Sequence, residues 1–163
     1  MRQFSPNSRA IGFTLIELMV VIVIISIVSA VIVGEMAGTF HDALLRSTSR
    51  QLVSVLSLAS SRAISQDRMH LVRFDEATRK YAIETKRHGE LVPVESVGGS
   101  EGKIDAHIAV RILGEGLNDS ISFYPDGTAE EREIELRDPE GFGLALRINP
   151  VTSRVQIIEL EKR

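Results

Sequence analysis

The chain has 163 residues and no cysteine, with 44% hydrophobic and 25% charged side chains and a formal net charge of −3. That length suits one domain with an appendage, and the missing cysteine excludes thiol catalysis, zinc–thiolate centres and iron–sulfur clusters. Beyond residue 33 there remain 19 − 2 = 17 basic and 22 − 1 = 21 acidic side chains, interspersed rather than gathered in a basic stripe, which disfavours nucleic-acid binding.

Residues 1–12, MRQFSPNSRAIG, are polar and carry Arg2 and Arg9. Residues 13–33 read FTLIELMVVIVIISIVSAVIV, with 17 apolar positions, three Ser or Thr, and Glu17. As a helix this stretch spans about 31 Å, enough to cross a bilayer core. No Lys or Arg follows until Arg46. The positive-inside rule therefore places the N-terminus in the cytoplasm and the remainder across the membrane, in the periplasm of a bacterium with two membranes. Two processing schemes compete. A secretory signal would be cut after Val28-Ser29-Ala30 and release the rest. A cut between Gly12 and Phe13 would instead leave the helix in the mature chain. Glu17 favours the second scheme, because an acid inside a membrane helix costs about 2.5–3.5 kcal/mol at its centre. The α-amino group freed on Phe13 would have a pKa of about 7.7–8.0 and lie one turn from Glu17. The same pairing can run between neighbouring chains.

In residues 34–66, Phe40, Leu44, Leu45, Leu52, Val55, Leu56, Ala59 and Ala63 recur at helical spacing, which predicts one apolar stripe. Arg46, Ser47, Ser49, Arg50, Ser57 and Ser61 populate the other faces. No proline occurs between Pro6 and Pro93, so one helix over residues 13–66, about 81 Å long, is allowed. Gly34 weakens it without removing a hydrogen bond.

Residues 67–163 read as strands. Period-two alternation is clear in Lys80-Tyr81-Ala82-Ile83-Glu84 and Glu133-Ile134-Glu135-Leu136-Arg137. From 142 to 148, Phe142, Leu144, Leu146 and Ile148 are expected to share one face. Weaker strands are expected over residues 69–74, 108–113, 120–124 and 154–158. Asp75-Glu76-Ala77-Thr78, Asp126-Gly127, Pro139-Glu140-Gly141 and Asn149-Pro150 supply turns, and Gly98-Gly99-Ser100-Glu101-Gly102 reads as a loop. Such alternation fits antiparallel strands with one buried face, closed by the helix stripe. The predicted class is α+β: a long N-terminal helix, transmembrane then amphipathic, on an antiparallel sheet.

Catalytic patterns are missing. His41, His70, His88 and His107 never fall at metal-ligand spacing. No nucleophile-elbow or phosphate-cradling glycine motif occurs. The acid pairs Asp75-Glu76 and Glu130-Glu131 sit in predicted turns. The chain is read as a non-enzyme without cofactor or metal.

The run Gly12-Phe13-Thr14-Leu15-Ile16-Glu17-Leu18 resembles the processing motif of type IV prepilins and of the pseudopilins of type II secretion. The resemblance implies that residues 1–12 are a leader, that prepilin peptidase cuts after Gly12 and methylates Phe13, and that Glu17 docks the subunit into a fibre. It implies residues 13–33 as the membrane helix, 34–66 as its amphipathic continuation, and 67–163 as a periplasmic β-rich head in the pilin-like fold. Many members have a helix-bending proline where this chain has Gly34. Two later stretches, Leu56-Ser57-Leu58-Ala59-Ser60-Ser61-Arg62-Ala63-Ile64 and Ile121-Ser122-Phe123-Tyr124-Pro125-Asp126-Gly127-Thr128, resemble the GspH and FimT families. Glycine is frequent there at the position of Ser153. Some major pseudopilins bind calcium, and Asp138 and Glu140 mimic part of that loop, but the ligand spacing is incomplete. The implied function is that of a minor pseudopilin in a single-pass inner-membrane location. Its implied partners are prepilin peptidase, other major and minor pseudopilins, and the inner-membrane secretion platform. The alternatives are a minor type IV pilin and a signal-anchored periplasmic enzyme or binding module.

Overall fold

The computed structural model describes residues 13–87, 90–94, 98–114 and 119–162, without the side chains of residues 31–39. The expected leader, Gly12 and His88 lie outside the described residues. One helix, α1, runs from Leu15 to Ser65 without a break at Gly34, as the absence of proline allows. The chain divides into two units, Met1–Ala37 and Gly38–Arg163.

In the first unit every described side chain from 13 to 30 is exposed. Leu15, Leu18, Val21, Val23, Ile24 and Ile27 are exposed and at about 100° per residue lie all around the axis, so this is not a one-sided stripe. Among the described residues no helix is long and apolar enough to cross a membrane.

In the second unit the helix stripe is buried. Leu45, Leu52, Val55, Leu56, Ala59 and Ala63 join one core with strand residues such as Val72, Ile83, Ile121, Ile134 and Leu146, while Val110, Ile112 and Val155 pack against it only part-buried. Two expectations fail here. Phe40 is 65% exposed, one turn short of the stripe's packed part. Ser49, expected on the polar side, is buried and donates from Oγ to the Arg46 carbonyl at 2.9 Å. Its hydroxyl is satisfied within the helix, so a small polar residue fits the core face.

The strands form two antiparallel sheets rather than the single one expected. In the first, β1 (His70–Asp75) lies between β2 (Lys80–Arg87) and β6 (Ser120–Phe123). Two short strands, β3 (Glu90–Pro93) and β4 (Glu101–Lys103), both pair with β2. Val72 stands between Ile83 and Ile121, and all three are buried. In the second sheet the order is β5 (Ala109–Leu113), β7 (Glu133–Arg137), β8 (Gly143–Ile148) and β9 (Val155–Leu160). Its inner face pairs Ile134 with Leu146 and Leu136 with Leu144.

Three further corrections follow. Phe142 does not share the buried face of Leu144, Leu146 and Ile148. It sits in the turn before β8, 42% exposed, with Lys162 Nζ 4.4 Å from its ring centre. Gly102, read as loop, belongs to β4, where a Cβ would collide with the Tyr81 ring and hydroxyl. β3 and β4 escaped the sequence reading because neither carries a period-two apolar pattern. Backbone pairing with β2 alone makes them strands.

Candidate functional site

The processing segment begins at Phe13, whose ring is 78% exposed. Thr14 opens the helix. Its Oγ1 accepts from the Glu17 amide at 3.3 Å, and its carbonyl accepts from Glu17 at 3.1 Å and Leu18 at 3.3 Å. Thr14-Leu15-Ile16-Glu17 is thus an N-cap with an acid three residues on, the pattern of a capping box. An acid in the first turn also meets the positive end of the helix dipole. The T-x-x-E spacing that marks this helix start stands in the sequence at Thr14 to Glu17. Among the described residues the Glu17 carboxylate makes no ion pair. Within the apolar run Ser26 donates to the Ile22 carbonyl at 2.8 Å, which satisfies a hydroxyl that lipid could not.

The head holds its polar groups in structural bonds. Arg73 bridges Glu84 and Asp119, each at 3.0 Å, and the Glu84 bond first of all raises its pKa. His41 reaches Glu140 at 3.3 Å and lies 6.1 Å, centre to centre, from the His107 ring, so the fold brings together two histidines far apart in sequence. His70 is fully buried, with Nδ1 3.0 Å from the Arg68 carbonyl. Burial, and secondarily Arg62 and Arg68, lowers its pKa despite that hydrogen bond. Asp138 Oδ1 accepts from the amides of Glu140 and Phe142, each at 2.9 Å, closing the β7–β8 turn. Among the described residues no three His, Asp or Glu side chains are placed to hold a metal.

Ser153 settles the departure noted at the last turn. Its φ is 54°, left-handed, a region that favours glycine. Its buried Oγ donates to the Gly127 carbonyl at 2.6 Å, tying the β8–β9 turn to the turn at Asp126-Gly127. The serine trades backbone strain for a bond between two turns, which glycine could not make.

The profile of the prokaryotic N-terminal methylation motif matches residues 7–33, the segment holding Gly12, Phe13 and Glu17. No curated protein sequence matches the chain significantly. Among solved structures, the minor pseudopilin EpsH from the type 2 secretion system of Vibrio cholerae superposes with a TM-score of 0.60 at 11% identity, over 71% of this chain and 96% of that one. Escherichia coli GspH gives 0.57 at 15% identity, over 72% and 89%. The type IV minor pilin FimU of Pseudomonas aeruginosa gives 0.56 at 18% identity, over 72% and 93%. At these identities the likeness establishes the fold. The chain thus joins a prokaryotic N-terminal methylation motif over residues 7–33 to a helix packed on antiparallel sheets, in a fold similar to those minor pseudopilins and that minor pilin.

Proposed function

We propose that the chain is a minor pseudopilin of a type II secretion system, stored in the inner membrane and assembled into a short periplasmic fibre. The observation that carries this reading is the union in one chain of the methylation motif at residues 7–33 with a head of EpsH and GspH fold. In this reading residues 13–33 span the membrane, the N-terminus is cytoplasmic, and the head is periplasmic. Prepilin peptidase cuts after Gly12, where a residue without Cβ admits the backbone to a protease, and methylates Phe13. Glu17 then meets the charged amine of a neighbouring pseudopilin as the subunit leaves the membrane platform. The apolar helix packs against its fellows, and the head sets lateral contacts. No catalysis or cofactor enters this mechanism.

Two measurements test it. Intact mass of membrane-extracted protein is expected to give a chain of 163 − 12 = 151 residues starting at Phe13 and carrying one methyl group. A start at Val31 would establish the released-domain alternative. In a strain lacking the native gene, Glu17→Ala and Glu17→Gln are expected to be cut normally, to stay in the membrane and to lose export of folded substrates. Full secretion by both variants would remove the assembly role of Glu17.

A minor type IV pilin is the second reading, because the minor pilin FimU has the same fold at a TM-score of 0.56, beside 0.60 for EpsH and 0.57 for GspH. Complementation of a pilus-minor-subunit deletion against a secretion-pseudopilin deletion separates the two.

A further inference from the structure

Three elements of the head bring their polar side chains to one place. His41 stands on α1, His107 in the turn between β4 and β5, and Glu140 in the turn between β7 and β8. The two histidines are 107 − 41 = 66 positions apart in the chain, yet their rings lie 6.1 Å apart, centre to centre, and 32° from coplanar. Each ring is held by its own carboxylate. His41 Nδ1 lies 3.3 Å from Glu140 Oε1, and His107 Nδ1 lies 2.8 Å from Asp105 Oδ1. Both carboxylates are themselves positioned. Glu140 belongs to the turn that Asp138 closes through the amides of Glu140 and Phe142. Asp105 Oδ1 also accepts from the His107 amide at 2.9 Å. That backbone bond first, and the ring bond second, hold the Asp105 carboxyl below its usual range.

These contacts fix the tautomers. A carboxylate only accepts, so in each neutral ring Nδ1 carries the proton and Nε2 carries the lone pair. Neither ring is buried, and among the described residues no hydrogen bond engages either Nε2. A histidine whose one nitrogen donates to a carboxylate while the other stays free is oriented, and made more basic, as metal-ligating histidines are. With Zn–N bonds of about 2.0–2.1 Å, two rings sharing one ion have centres about 5–6.5 Å apart. The separation here falls within that span. Charge favours a cation as well: Asp105, Asp138 and Glu140 outnumber Arg79, whose Nη2 is given to the carbonyls of Asp105 and Ile108.

We propose that His41 and His107 form a two-histidine site for a divalent transition metal of the zinc class, each ligating through Nε2, with Glu140 and Asp105 as the outer carboxylates. Among the described residues no group of three side chains is placed to ligate, so water completes the shell and the ion is exchangeable. Imidazole ligands select zinc, copper or nickel over calcium and magnesium, which take oxygen. A bound ion ties α1 to the turn ahead of β5 and stabilises the folded head by mass action. The inference concerns the head alone and holds whichever fibre the chain joins.

The test uses the full, untagged chain in detergent micelles, stripped with a chelator and titrated with zinc chloride. Histidine ring nitrogen shifts and thermal melting give the readouts. One zinc per chain is expected, moving the Nε2 signals of both rings, with a rise in melting temperature of about 3–6 °C at tenfold excess over Kd. His41→Gln and His107→Gln are each expected to weaken binding by about tenfold or more. His107 is 64% exposed, so its variant keeps the fold should His41→Gln melt early. Glu140→Gln is expected to weaken binding about 10–100-fold by releasing the His41 ring. Calcium chloride is expected to move neither ring. No bound zinc at about 1 mM, binding unchanged by either histidine variant, or an equal response to calcium would overturn the proposal. Zinc binding untouched by both Glu140→Gln and Asp105→Asn would show an adventitious ion only and overturn it too.

Discussion

The single helix α1 contains two stretches whose apolar residues are arranged differently and do different things. Residues 15–30 are exposed on every side, whereas further along Leu45, Leu52, Val55, Leu56, Ala59 and Ala63 are buried against strands. The difference lies in periodicity. Where apolar residues occupy the whole circumference, no single sheet can cover them, and only an apolar surround does. Where they occupy one stripe flanked by Arg46, Arg50 and serines, a sheet covers the stripe and water takes the rest. The same backbone therefore carries a segment suited to lipid or to other helices, followed by a segment that is half of a soluble core.

The sharpest way to break this comparison is to place one acid in each stretch. Leu56 is fully buried, and Leu56→Asp leaves an unpaired charge in the core. It is expected to cost more than about 4 kcal/mol and to abolish folding of the head. Ile22 is 54% exposed, and Ile22→Asp is expected to leave the head's melting temperature unchanged. Its effect should fall on membrane extraction instead, with an insertion cost of about 2.5–3.5 kcal/mol. Circular dichroism melts and membrane fractionation of both variants provide the readout. An unchanged melt for Leu56→Asp would refute the packing of the stripe.

A smaller effect sharpens the soluble half. The His70 ring is buried at the start of β1, and that burial holds its pKa below the usual histidine range. Between the folded and unfolded pKa values the unfolded chain binds more protons, so stability is lost as pH falls below about 6.5. The loss levels off below the folded value. Denaturant melts from pH 7.5 downward are expected to show this decline in the parent, and His70→Gln to flatten it. An equal decline in both would assign the pH effect elsewhere.

The smallest effect concerns the β8–β9 turn. Ser153→Ala keeps the left-handed strain and loses the bond to Gly127, and is expected to cost about 1–2 kcal/mol. Ser153→Gly loses the bond but relieves the strain, so it is expected to lie within about 1 kcal/mol of the parent. A Ser153→Gly variant less stable than Ser153→Ala would show that strain is not what the serine tolerates.

How much was legible differs by element. The helix, the strands from Lys80 and Glu133, and the turn at Asp126-Gly127 were readable, because each carries its own periodicity or turn chemistry in consecutive residues. The N-terminal motif was also readable, since cleavage and docking signals are local by nature. Thr14 as the N-cap was readable too, from the T-x-x-E spacing.

By itself, then, the sequence determined which stretches are helical, which alternate as strands, and where the helix changes from apolar all round to one-sided. Each follows from interactions among residues a few positions apart. Only the tertiary structure decided that the strands divide into two sheets and that β3 and β4 form on β2. It alone showed that Gly102 makes room for Tyr81 and that Ser153 ties two turns together. The meeting of His41 with His107 and Glu140 also belongs to that level. These features depend on pairings between residues 20 or more positions apart in several cases, such as Ser153 with Gly127 and Tyr81 with Gly102. Such contacts leave no periodic trace in the chain, because the energy that selects them is shared with partners that local pattern does not name.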